Sequence, residues 1–69
     1  MKISARNILQ GKVEAIKKGP ITSAITLRLA PGLKVVSTIT RESAASIKLK
    51  KGQTAYAIIK ASSVMIGVD

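Results

Sequence analysis

Between Gly19-Pro20 and Pro31-Gly32 the chain reads Ile21-Thr22-Ser23-Ala24-Ile25-Thr26-Leu27-Arg28-Leu29. Ile21, Ser23, Ile25, Leu27 and Leu29 alternate with Thr22, Ala24, Thr26 and Arg28. A repeat of two sends successive side chains to opposite faces of an extended backbone, so this stretch predicts a half-buried strand. The repeat resumes after Pro31-Gly32, with Leu33, Val35, Ser37 and Ile39 on one face and Lys34, Val36, Thr38 and Thr40 on the other. Two such runs about a Pro-Gly turn predict a hairpin. Upstream, Gly11 to Lys17 predicts an earlier strand, with Val13 and Ala15 facing one way and Lys12 and Glu14 the other.

Downstream the pattern changes at Thr40, a helix N-cap candidate followed by Glu42 in the first turn and by Ala44-Ala45. A short helix is expected through Ile47, with Lys48, Lys50 and Lys51 at its far end and Gly52 closing the turn. Ala55 to Ala61 and Val64 to Val68 then read as two more strands joined around Ser62-Ser63. Three strands, a short helix and two strands make an all-β chain. The order is that of a five-stranded Greek-key barrel of the oligonucleotide/oligosaccharide-binding (OB) type, with its helix between strands 3 and 4.

Composition limits what such a barrel can be. The chain has 69 residues, expected to form one domain over 1–69, and a chain near this size buries only roughly 60% of the surface it exposes unfolded. Ten Ile, five Val and five Leu supply an aliphatic core, and Tyr56 is the single aromatic residue. With no Cys and no His, neither disulfides nor a side-chain-ligated metal can reinforce it, which leaves association with other subunits. No apolar run approaches the roughly 20 residues of a spanning helix, and no signal-like stretch follows Met1, so a soluble cytoplasmic protein with no membrane partner is expected.

Twelve Lys and Arg against three Asp and Glu give a net charge of +9, which calls for an anionic partner without saying which. Catalysis is poorly supported: there is no His or Cys, and Glu14, Glu42 and Asp69 lie on separate segments. Single-stranded nucleic acid is disfavoured, since base stacking wants aromatic platforms and Tyr56 is alone. A small basic OB-like nucleic-acid-binding protein is nevertheless the alternative that charge and fold leave open, because electrostatics alone gives weak, salt-sensitive binding. The stronger feature sets small donors beside cations: Ser4-Ala5-Arg6-Asn7 near the start, Lys60-Ala61-Ser62-Ser63 near the end, and Thr38 and Thr40 between. Cations neutralise an oxyanion, hydroxyls and backbone N–H groups give its oxygens directional bonds, and small side chains admit the backbone. Spacing alone leaves another reading open, with Ser62-Ser63 an ordinary turn and Lys60 a solvated strand end.

Taken together, Ile3-Ser4-Ala5-Arg6-Asn7, Thr38-Ile39-Thr40-Arg41-Glu42-Ser43 and Tyr56-Ala57-Ile58-Ile59-Lys60-Ala61-Ser62-Ser63-Val64-Met65-Ile66-Gly67 resemble the molbindins over nearly the whole chain. These are small molybdate-binding proteins of the molybdenum-pterin-binding, TOBE-like kind. The resemblance implies a five-stranded barrel and a non-enzymatic protein that binds molybdate or tungstate as the oxyanion for intracellular storage and homeostasis. It implies a homo-oligomer, a hexamer built as a trimer of dimers, with the anion between subunits. By the same resemblance Ser4, Arg6, Thr40, Lys60, Ala61 and Ser62 are the oxyanion contacts, and Asn7 belongs to the motif or serves the local turn. The chain departs from the family at Gly19-Pro20-Ile21-Thr22-Ser23-Ala24, where relatives tend to carry an Asn and an acidic residue used by a second class of site near the trimer axis.

Overall fold

A computed structural model describes residues 1–69. Four strands form one antiparallel sheet: β1 (Asn7–Lys18), β2 (Thr22–Ala30), β3 (Leu33–Thr40) and β4 (Thr54–Ile59), in the order β3-β2-β1-β4. The helix α1 (Arg41–Ser46) lies between β3 and β4, and a 3-10 turn, Ala61–Ser63, follows β4. The all-β architecture and the place of the helix are as expected, but there are four strands and not five. Val64 to Val68, apolar at four of its five positions, pairs with nothing. Apolar side chains mark a segment that can be buried; they do not provide the neighbour whose N–H and C=O groups complete a ladder.

The β2–β3 hairpin follows the period-two pattern, pairing Ser23 with Ile39, Ile25 with Ser37 and Leu27 with Val35 across the ladder. Ser23, Ile25 and Leu27 are buried on that face. β1 begins earlier than expected, at Asn7, because its first half pairs with β4, from Asn7 opposite Ile59 to Lys12 opposite Thr54. The expected common face of Val13 and Ala15 is not observed. Val13 pairs with Leu27 and Ala15 with Thr26, so Glu14 is an extra residue, a β-bulge that reverses the alternation. Val13 is buried, Ala15 is exposed, and Ile16 takes the core position opposite Ile25.

Gly11 lies in the first half of β1, close against β2. A Cβ there would stand 2.6 Å from the Arg28 carbonyl oxygen and 3.0 Å from side-chain carbons of Leu27 and Leu29. Glycine at this position is therefore a matter of space between two strands.

Thr40 caps α1 as expected: its Oγ1 accepts from the Ser43 N–H at 3.0 Å and donates to Ser43 Oγ at 2.7 Å. The helix does not close at Gly52. Lys48 takes the left-handed conformation (φ 54°), and Lys48 and Leu49 donate backbone bonds to Ala45 and Ala44. That is a Schellman ending with Lys where Gly is usual, and it turns Leu49 onto the core. Gly52 (φ 87°) belongs to the next turn, which is fastened to the bulge: Val13 N–H donates to Gln53 O, and Gly52 N–H donates to Val13 O.

The fully buried apolar core is Val13, Ile25 and Leu27, against which Ile16, Leu29, Ile39, Leu49, Ala55 and Ala57 pack. Much apolar surface stays outside: Ile21 is 75% exposed, Val36 66%, Met65 93% and Val68 94%. Since β3 and β4 are the two sheet edges and do not pair, the sheet stays open along a seam. The seam holds an apolar groove of about 650 Å³ whose walls include Val35, Ile39, Tyr56 and Ile59. No helix is long and apolar enough to cross a membrane.

Candidate functional site

The two ends of the chain meet because β1 and β4 are neighbours. Pairing of Asn7 with Ile59 brings Arg6, just before β1, beside Lys60, just after β4. Asn7 strengthens that junction: its Nδ2 donates to the Ile59 carbonyl oxygen at 3.3 Å, across 52 positions of sequence. Asn7 thus ties the two strands that carry the cations, its amide reaching across the sheet and not into a local turn.

At the junction lies an open cleft of about 540 Å³ lined by Ile3, Ser4, Ala5, Arg6, Ile58, Lys60, Ala61 and Ser62. Five of the six expected contacts, Ser4, Arg6, Lys60, Ala61 and Ser62, thus share one cavity. Ile3, Ala5 and Ile58 complete its walls and were not singled out from the sequence; for Ile3 and Ala5, their place on either side of Ser4 was the available signal. The sixth, Thr40, is elsewhere: it ends β3, the far edge of the sheet from β4, with its hydroxyl engaged at the head of α1.

The cleft is electropositive. The one ion pair of the chain joins Lys34 Nζ to Glu14 Oε2 at 2.8 Å, so Arg6 and Lys60 have no carboxylate partner. After Lys60 the chain enters the 3-10 turn, in which Ser63 N–H donates to Lys60 O and Val64 N–H to Ala61 O. A 3-10 turn satisfies amides only from its third residue onward, so those of Ala61 and Ser62 find no acceptor within it. Two cations, two serine hydroxyls and two such amides line the cleft together with Ile3, Ala5 and Ile58, a donor set that can bind and orient an anion.

A curled, open sheet with a helix before its last strand, in which the pairing of β1 with β4 brings the two chain ends together at a cationic cleft, defines a small β module with a donor set suited to an anion. The chain belongs to the TOBE domain family, whose model matches residues 3–66. It is 44% identical over 69 residues to a probable molybdenum-pterin-binding protein of Haemophilus influenzae, covering 100% of both chains. Among solved structures it is similar to a molybdate binding protein from Sporomusa ovata, with a TM-score of 0.91 and 34% identity over 99% of this chain and 100% of that one. It is likewise similar to ModG, a cytoplasmic molybdate-binding protein solved with molybdate bound, at TM-score 0.93 and 43% identity over all of this chain and 49% of that one.

Proposed function

We propose that the chain binds molybdate or tungstate, as the intact oxyanion, in the cleft between the start of β1 and the end of β4, and serves as a cytoplasmic, non-enzymatic store for it. The observation that carries this reading is the meeting of Ser4, Arg6, Lys60, Ala61 and Ser62 in one cavity free of acidic residues. The relatives support it, since two of the similar structures are described as molybdate-binding proteins, one of them cytoplasmic. Arg6 and Lys60 supply charge, while the Ser4 and Ser62 hydroxyls and the amides around Ala61 supply direction. The whole of residues 1–69 acts as one binding unit. The nucleic-acid alternative finds no support among the relatives.

Thr40 enters the same reading only through another subunit, because within one chain it stands at the opposite sheet edge. A hexamer, the number taken from the molbindin resemblance, brings one chain's Thr40 toward another's cleft and gives the bare apolar seam and the Val64 to Val68 segment something to cover them. The deciding experiment is calorimetric titration of stripped protein with molybdate, tungstate and sulfate. Heat with the two metal oxyanions and little with the smaller sulfate is expected; no heat with either metal oxyanion would overturn the proposal.

A further inference from the structure

On the outward face of the sheet, away from the cleft just described, the strand register sets two cations side by side. Lys12 of β1 is the direct cross-strand partner of Arg28 of β2, and on its other flank Lys12 faces Thr54 of β4. Like charges opposite one another weaken a sheet, and neither of these has an ion-pair partner: Glu14, the acid nearest in sequence, is bonded to Lys34 and feels Arg28 only through its field. Gln10, two residues before Lys12 and so on the same face, adds a side-chain amide, and neither Gln10 nor Thr54 spends its side-chain donor inside the chain. These four residues line an open depression of about 360 Å³, whose lining also includes Leu29, Ala30 and Pro31.

We propose that this depression binds a small organic phosphate, a monoester whose dianionic group sits between Lys12 and Arg28 and whose organic part lies on the Leu29-Ala30-Pro31 wall. The donor set suits that group. Arg28 offers a planar fork for two phosphate oxygens, Lys12 a compact charge, and Thr54 and Gln10 neutral donors for what remains. A lone tetrahedral ion needs no apolar wall, and the size of the depression falls in the roughly 300–1,000 Å³ range of small-molecule sites. A bound dianion removes the repulsion that the register builds in. The site shares no residue with the Ser4–Ser62 cleft and rests on none of the reasoning for it.

Calorimetric titration of the full-length protein with phenyl phosphate and with inorganic phosphate, at one ionic strength, tests this. Phenyl phosphate is expected to bind the parent protein and the Lys60→Ala variant equally, and inorganic phosphate more weakly. Lys12→Gln/Arg28→Gln is expected to lose at least tenfold in affinity. Lys17→Gln/Lys18→Gln, which removes the same charge from the end of β1, is expected to lose none. Should the first double variant not fold, Lys12→Gln alone is expected to lose several-fold. Absence of phenyl phosphate binding, equal loss in the Lys17/Lys18 variant, or loss in Lys60→Ala would each overturn the proposal, the last by assigning the ligand to the first cleft. Equal affinity for the two phosphates would overturn the organic ligand.

Discussion

A single hydrogen at Gly11 decides how tightly β1 and β2 can curl. Gly11→Ala would put a methyl group 2.6 Å from the Arg28 carbonyl, an atom of the backbone that cannot swing aside as a side-chain end can. Overpacking of this kind costs about 1–3 kcal/mol, and a urea or thermal melt of the variant is expected to show a loss of that order. In the proposed site, charge and direction are assigned to different residues. A hydrogen bond to a charged group is worth about 1.5–3 kcal/mol, so Lys60→Ala is expected to weaken molybdate binding tenfold or more while circular dichroism stays unchanged. Unchanged affinity in the folded variant would remove Lys60 from the site. Thr40 carries two duties. Thr40→Ala removes a cap worth about 1 kcal/mol and with it any hydroxyl offered to a neighbouring subunit, whereas Thr40→Ser keeps both. Comparing the melting temperature and molybdate affinity of the two variants separates the duties: a loss of stability alone, with affinity intact, would confine Thr40 to capping.

Among the elements, the hairpin and the helix were legible because each rests on local chemistry: an alternating face for β2 and β3, a capping hydroxyl for α1. The bulge in β1 was not. Glu14 is surplus only relative to β2, and a count along one strand says nothing of how many residues its partner presents. The fifth strand is absent for the complementary reason: the apolar run of Val64, Met65, Ile66 and Val68 describes a capacity for burial, and no strand of this chain pairs with it. Lys48 escaped notice because Gly52 is the more obvious residue for a left-handed turn, while the hydrogen bonds of the helix end fix that conformation four residues earlier. The residues of the cleft are marked by the molbindin resemblance and not by spacing, because nothing local in the sequence says that β1 and β4 are neighbours; Thr40 lies away from them. The bulge also has a pH consequence. Its Glu14 carboxyl is held below the ordinary 4.5 chiefly by the hydrogen bond from Lys34, helped by the fields of Lys34, Arg28 and Lys51 and opposed by partial burial. A lowered pKa in the folded state means that the unfolded chain binds the proton more readily. The pair's contribution is therefore complete above the ordinary value and is lost as pH falls through the depressed one. Glu14→Gln is expected to flatten the dependence of the urea midpoint on pH below 4.5, by a small amount and less at high salt, because both side chains are partly exposed.

For the molecule as a whole, a fully buried apolar core of three residues is a slender basis for an independent monomer. The proposed assembly brings +9 chains together, so apolar burial along the seam and anions in the proposed clefts have to offset the repulsion. An anion bound only by the assembled form stabilises it by mass action, so molybdate is expected to raise the melting temperature and to reduce dissociation on dilution. Analytical ultracentrifugation with and without molybdate checks this; a stable monomer binding at full strength would contradict sites between subunits. Removal of residues 64–69 is expected to leave the sheet formed and to lower the assembly state. The strand order carries a last consequence, for the sequence of events in folding. β1, β2 and β3 are joined by short turns and can zip together locally, but β4 must reach back across about fifty residues to lie beside β1. Closing that loop costs entropy before its contacts repay it, so docking of β4 belongs to the slow phase of folding. The cationic cleft is built from both sides of that final pairing. It therefore comes into being last, and a nascent or partly folded chain lacks the proposed anion site.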